Sequence, residues 1–199
     1  MKTRAGTCFL ARQRKSSDKI SASIRQAVEA DAGAIAALHI RSWQSAYRGQ
    51  LPDHFLDSLD HELGRRTEFW QTHISMVSSA KHEIWAADLE ACVNGFVALG
   101  PARDTESEAT GELYAIYVNP DRWDQGLGSA LLAHATGRLT ALGYSAAILW
   151  VLESNTRARR FYERAGWAAD GRIKIETLPD NVELREVRYR TRFGQQNEE

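Results

Sequence analysis

Residues 112–132, "ELYAIYVNPDRWDQGLGSALL", change rhythm halfway along, and that change decides the fold. The first seven residues (112–118) are rich in β-formers, and Pro120, which has no amide hydrogen for a ladder, ends the strand. From Gly126 the apolar spacing becomes helical, with Leu127, Ala130, Leu131, His134 and Leu139 near one face and Gly143 as the stop. "SAAILWVL" (145–152) is then continuously apolar, as befits a strand buried on both faces. A strand, a helix over 126–142 and a second strand predict a parallel pair with a right-handed crossover.

The flanks add further elements. "SIRQAV" (23–28) reads as a strand, and Asp31 opens a helix carrying Ile35, Leu38 and Trp43 on its apolar face. Gly49 and Pro52 place a loop in "AYRGQLPDHFLDSLD", leading into short helical turns. Residues 62–78 read as a second helix, 82–89 and 93–100 as a hairpin, and 101–111 as a polar loop. Residues 155–166 form a helix between an Asn155 N-cap and a Gly166 stop, and "GRIKIETL" and "ELREVRYRT" close the chain as strands. The order β-α-α-β-β-β-α-β-α-β-β predicts an α/β (α+β) fold. Its mixed, mostly antiparallel central sheet has about seven strands, with helices on both faces.

The chain has 199 residues, 43% hydrophobic and 26% charged, which suits one globular domain over 22–193. A basic, flexible extension (1–21) precedes it and a polar tail (194–199) follows. Residues 1–20 hold six basic side chains and one acid; removing them from 25 bases and 26 acids leaves the body at −6. An acidic body argues against nucleic acid as the main partner. No run approaches membrane-spanning length and Met1–Ser21 lacks a secretory apolar core, so the reading is cytoplasmic with no membrane partner. Cys8 and Cys92 form no CxxC pair, and His61-Glu62 and His82-Glu83 lack the second histidine of a zinc motif, so no metal is expected.

A helix start leaves backbone N–H groups unpaired at the positive end of the dipole, and glycine lets a phosphate approach them. Gly126 and Gly128 sit at such a start, with the Ser129 hydroxyl beside them. The turn is not a P-loop, because Ser129-Ala130 stands where Lys-Ser/Thr is required. Nor is it a dinucleotide fingerprint: Leu131 replaces the third glycine, and the strand ends well before Gly126.

"LESNTRARRFYERAGW" (152–167) spaces Asn155, Ala158, Phe161, Tyr162 and Gly166 along one helix. Together with residues 112–132 it resembles the GNAT (GCN5-related N-acetyltransferase) superfamily. The family pattern is a strand ending in Val-x-Pro, a Gln/Arg-x-x-Gly-x-Gly/Ala turn, a strand, then Asn-x-x-Ala-x-x-Phe-Tyr-x-x-x-Gly-Phe. The match covers residues 112–167, with Trp167 for the final Phe, and "HIRSWQSAYRGQLP" (39–52) and the strand pattern extend it more weakly to 23–192. It departs at the turn, where Trp123 stands for the family's Gln or Arg and Asp124 for a common Gly. An acid there disfavours a phosphate, so its side chain is expected to point away or to cap the helix.

The resemblance implies acetyl-CoA as co-substrate and the parallel strands 112–118 and 146–151 splayed in the middle of the sheet. Its pyrophosphate would lie on the amides of Asp124, Gln125, Gly126, Leu127, Gly128 and Ser129. Its pantetheine arm would lie along Ile116, Tyr117 and Val118, with Asn155 bonding to the arm or to the strand. Tyr162 would protonate the departing sulfur, and Glu112 is the candidate base, directly or through water. Each has a structural rival: Tyr162 as core, Asn155 as a cap, Glu112 as a solvated acid at a strand start. Trp43 and Tyr47 are candidates for the acceptor pocket, as is Trp70, which suits core packing better. Asp104, Glu106 and Glu108 read as a solvated loop or a patch attracting a cationic amine. The arginines at 185, 188, 190 and 192 read as a solvated face, an anionic-acceptor site or a dimer contact. The implied activity is direct acetyl transfer, in a ternary complex, to a primary amine on a small molecule or peptide. The alternative is an acyl-CoA-binding module without turnover. A homodimer is allowed by family analogy alone.

Overall fold

The computed structural model describes residues 22–76, 81–104, 109–178 and 181–194. The basic extension 1–21 with Cys8, the tail beyond 194, Glu106, Glu108 and the predicted helix end at 77–78 lie outside the described residues.

Among the described residues the α-helices and strands follow in the order β1 (Ser23–Gln26), α1 (Ala32–Tyr47), α2 (Asp53–Ser58), α3 (Leu63–Ser75), β2 (Glu83–Leu89), β3 (Cys92–Pro101), β4 (Thr110–Val118), α4 (Leu127–Ala141), β5 (Ala146–Leu152), α5 (Thr156–Arg164), β6 (Ala168–Leu178) and β7 (Val182–Arg192). The strands form one sheet in the order β1-β2-β3-β4-β5-β7-β6. Only β4 and β5 pair in parallel; the other neighbours are antiparallel.

Alternation along the strands divides the core between the two faces. Phe96 and Ala98 of β3 meet Ile35, Leu38, Trp70 and Ile74 from α1 and α3. Val97 and Leu99 point the other way, to Leu131, Ala135 and Leu139 of α4. Leu131 has no solvent exposure, and burying such a side chain stabilises by roughly 1.5–3 kcal/mol. A third cluster packs Phe55 and Leu56 of α2 on Leu152, Val182 and Leu184.

Two local expectations shift. α1 runs to Tyr47, through the start of the segment read as loop; the chain leaves helical geometry at Arg48 (φ −57°, ψ 128°), and Gly49 follows at φ +76°. Asp31 precedes α1 as expected, but its carboxylate serves the Val28 amide and Arg25, which also holds Asp88. β6 starts at Ala168, three residues earlier than read, because a register shift between Ala169 and Ile173 absorbs Gly171 (φ +85°) within the strand.

The parallel pair is short. β4 and β5 match from Thr110↔Ala146 to Leu113↔Leu149 and no further. At that point the β3 register jumps from Leu99↔Leu113 to Ala98↔Ala115, so Tyr114 is an extra residue on β4. Such a bulge bends its strand and increases its twist. β4 stays on β3 as far as Val118↔Gly95, while β5 stays on β7 as far as Leu152↔Glu186. The two strands therefore diverge, and a gap opens in the middle of the sheet.

Gly95 lets β4 keep this course. A Cβ there would stand 2.8 Å from Leu131 Cδ1 and 3.2 Å from the Tyr117 carbonyl oxygen. Gly95→Ala is expected to destabilise the fold by about 1–3 kcal/mol, because neither α4 nor the backbone of β4 can retreat freely. Urea unfolding reads this directly; an unchanged midpoint would show that the contact yields without cost.

Candidate active site

The gap continues into a cleft of about 1050 Å³. Its walls come from the end of α1, the outer half of β4, the turn before α4, the end of β5, and α5. The cleft passes through the sheet. Ile116 and Val118 pack toward the α4–α5 side, whereas Tyr114 and Tyr117 pack toward α1 and α3.

On the α4–α5 side lies the glycine turn. Gly126, in the left-handed region at φ +85°, immediately precedes α4. The first bond of the helix runs from the Ala130 amide to the Gly126 carbonyl, so the amides of residues 126–129 precede the ladder. Gly128 faces the Phe161 ring, which a Cβ would meet at 3.6 Å. Gly126, Gly128 and Ser129 line the cleft, as do Arg122, Arg157, Arg160 and Arg164. Leu127 turns its side chain into the core, and Gln125 bonds to the Asp121 carbonyl at 3.1 Å; neither side chain lines the cleft.

Trp123 and Asp124 have specific partners. The Trp123 indole N–H donates to the Val118 carbonyl at 2.9 Å and ties the turn to the end of β4. Arg157 lies with its guanidinium 4.1 Å from the Trp123 ring centre and donates to Asp124 at 3.0 Å. The acid is thereby turned toward α5 and makes no cap to α4.

In the middle of the cleft three phenols converge. Tyr162, 7% exposed, has its ionisation pushed above the usual phenol range by burial, with Tyr117 nearby adding to the effect. Burial pushes Tyr117 up to about 12, and its hydroxyl accepts from the Trp43 indole at 2.8 Å. Tyr47, packed edge-on against Trp43 with ring centres 5.0 Å apart, is raised by burial and meets the Asn155 side chain. Asn155 also caps α5, its Oδ1 accepting from the Ala158 amide at 3.0 Å. Trp43, Tyr47, Ile116, Tyr117, Val118, Asn155 and Tyr162 are thus brought to one cleft. Trp70 is not: at 5% exposure it packs under α1, against Phe96.

His39 braces this centre from behind, its ring 4.5 Å from that of Tyr117. Burial, helped by the Arg66 charge, pushes it down to about 3, so the imidazole is neutral and too weak a base to take a proton from an amine.

Glu112 is elsewhere. It sits in the closed part of the β4–β5 pair, opposite Ile148, and does not line the cleft. Its side chain is 1% exposed and accepts from the Arg103 backbone amide at 2.8 Å and from its guanidinium at 2.5 and 3.1 Å. It is not the solvated acid allowed as its rival reading, because the closed strand pair buries it. The solvated-face reading of the last-strand arginines fails at Arg188, which is 3% exposed and held by Asp170 at 2.6 Å and Asp104 at 3.4 Å. Arg185 instead reaches Glu153.

Several wall residues had no place in the sequence reading, among them Arg157 and Arg160 on α5, Trp150 on β5 and Glu186 on β7. The alternation of β7 could have found Glu186, since Leu184 and Glu186 share a face; the run of arginines drew attention away. Among the described residues no group of three or more His, Cys, Asp or Glu is placed to hold a metal, and no helix is long and apolar enough to cross a membrane.

Arg103→Ala leaves the buried Glu112 carboxylate with a backbone donor alone. It should destabilise the protein by about 1–3 kcal/mol in urea unfolding, more than Glu112→Gln, which removes the charge itself. Equal losses would mean that the carboxylate is not stranded.

The model of the Acetyltransferase (GNAT) family matches residues 38–167. The chain is 35% identical over 133 residues to an uncharacterized N-acetyltransferase, YuaI, of Bacillus subtilis, across 67% of this chain and 73% of that one. It is 27% identical over 169 residues to a probable N-acetyltransferase of Mycobacterium tuberculosis, across 84% and 91% of the two chains. Among solved structures it superposes on the PaiA N-acetyltransferase of Thermoplasma acidophilum in complex with coenzyme A, with a TM-score of 0.68 over 87% of this chain and 99% of that one. At 18% identity that last likeness is one of fold. The family match over 38–167 contains both the glycine turn and the Asn155–Tyr162 helix, and the chain belongs to the GNAT family of acetyltransferases.

Proposed function

We propose that this chain moves an acetyl group from acetyl-CoA to a primary amine of a small molecule or peptide, by direct transfer in a ternary complex. The observation that carries the reading is the gap beyond Leu113↔Leu149, with the Tyr162 phenol on its wall and the open amides of 126–129 at one end. Acetyl-CoA supplies an activated acyl group and an anionic diphosphate. The glycine turn suits the diphosphate through helix-start amides without side chains in the way. Arg122, Arg157 and Arg160 on the same wall supply positive charge. The unpaired edge of β4 around Ile116 and Val118 offers backbone groups to a pantetheine arm. A backbone donor there would polarise the thioester carbonyl, since the developing oxyanion needs pre-placed hydrogen-bond donors.

Tyr162 is the proton donor to the departing thiolate. Burial keeps the phenol protonated through neutral and moderately alkaline pH, so it can donate to the sulfur as the C–S bond breaks, and the phenolate then recovers a proton from cleft water, to which the acceptor nitrogen gives up its own. We assign no base to Glu112, whose lone pairs are engaged by Arg103. The amine therefore attacks in its neutral form and loses its second proton to water in the cleft. Acetyl-CoA as donor suits a reaction in the cytoplasm.

Thiol release with an amine panel tests the activity. If acetyl-CoA binds but no amine releases CoA, the acyl-CoA-binding module is the better reading. Tyr162→Phe should lower kcat about a hundredfold while leaving acetyl-CoA affinity unchanged. In the wild type, kcat/KM should rise with pH as the amine deprotonates. The raised phenol should give no falling limb until above about pH 10. A falling limb near pH 8, or an unaltered kcat in the variant, removes Tyr162 from the mechanism.

A further inference from the structure

Among the described residues on the cleft wall, two carry carboxylates, Asp124 and Glu186. Asp124 belongs to the glycine turn and is engaged by Arg157. Glu186 lies toward the other end, on β7 opposite Leu152 of β5, with Trp150 and Leu184 on the same wall. Its side chain is 18% exposed, and the Lys174 Nζ stands 2.9 Å from its Oε2. The same Nζ lies 4.8 Å from the centre of the Trp150 ring. An alkylammonium thus already rests between a carboxylate and an indole face, where charge and the ring quadrupole both attract it.

Lys174 reaches this niche from β6, the edge strand, with a side chain 37% exposed. Its flexible four-carbon stem lets the ammonium swing out to water. Glu186 itself lines the cleft, with Leu184, two residues before it on β7, on the same face. A cation bound at Glu186 would approach Tyr162 from the sheet face opposite the glycine turn.

We propose that Glu186 and Trp150 recognise the acceptor as an alkylammonium ion, and that Lys174 occupies their niche as an internal stand-in which the acceptor displaces. This rests on the N-acetyltransferase reading and narrows its substrate class to amines that arrive as cations and then shed one proton to cleft water before attacking in the neutral form. Two substitutions should then act in opposite directions. Glu186→Gln removes the attraction, and Lys174→Met removes the competitor while keeping the apolar stem.

The test uses the full chain saturated with CoA and n-butylammonium chloride as probe, with n-butanol as neutral control, read by indole shifts in NMR. Saturable binding of the ammonium and not the alcohol is expected. Lys174→Met should bind it several-fold more tightly and Glu186→Gln about tenfold more weakly than wild type. With any amine the panel shows to be acetylated, KM should move the same way while kcat holds. Equal probe affinity in all three proteins, no saturable binding by Lys174→Met, or losses of melting temperature alone would reduce the pair to an ordinary cross-strand ion pair and overturn the proposal. Calorimetry with acetyl-CoA on the same proteins separates the two levels. Failure of the wild type to bind acetyl-CoA sinks the N-acetyltransferase reading, whereas intact acetyl-CoA binding with unmoved ammonium affinity sinks only the role of Glu186.

Discussion

The ladder between β4 and β5 stops after four residue pairs, and the rest of the site depends on that stop. A sheet left to itself would close, because each unpaired N–H and C=O kept from water carries a penalty. Here closure is opposed from both sides. Tyr114 is an extra residue that bends β4 toward β3, and β7 holds β5 through Leu152. Gly95 gives β4 room against Leu131, and the Trp123 indole takes up the Val118 carbonyl at the open end. The edge of β4 beyond Leu113 is thus left without a β5 partner, which is the feature the proposed acetyl-CoA reading uses.

Two charged groups lie deep near this junction, Glu112 in the closed part of the pair and Arg188 on β7, opposite Trp150. Glu112 and Arg188 sit at 1% and 3% exposure, each with an opposite charge and further hydrogen bonds. Buried ions survive only when so satisfied. Each anchors a neighbouring segment: Glu112 holds the 101–104 turn, and Arg188 joins β7 to the start of β6 through Asp170. Neither lines the cleft, so both serve the scaffold.

The middle of the fold was legible in the sequence because its signals are local. Periodicity marked α4 and β5, Asn155 and Gly166 bounded α5, and the glycine pair marked the helix start. What the sequence hid are matters of register. Glu112 and Glu186 look alike as acids on β-strands, yet one falls in the closed part of a ladder and the other beside the gap. That difference is set by a one-residue bulge at Tyr114, which no propensity reveals. Asp31 correctly marked the start of α1, but its tie to Arg25 and the Val28 amide depends on strand β1 and could not be read locally. The arginines of β7 were legible as charge and not as depth, since Asp170 and Asp104 come from other segments.

Trp123 shows how such a site tolerates a departure from its family's pattern. The usual Gln or Arg would bring a polar or cationic side chain to the phosphate turn. Here an indole fills the space, and its N–H is spent on the Val118 carbonyl. The cation comes instead from α5: Arg157 lies on the Trp123 ring and is steered by Asp124. Asp124, which alone would disfavour the diphosphate proposed for this turn, is paired with Arg157. Guanidinium is planar, stacks on an indole and keeps donors free while bound to one carboxylate, which an ammonium does less well. The acid, the indole and the arginine are therefore best understood as one unit, in which each of the two departures makes sense of the other.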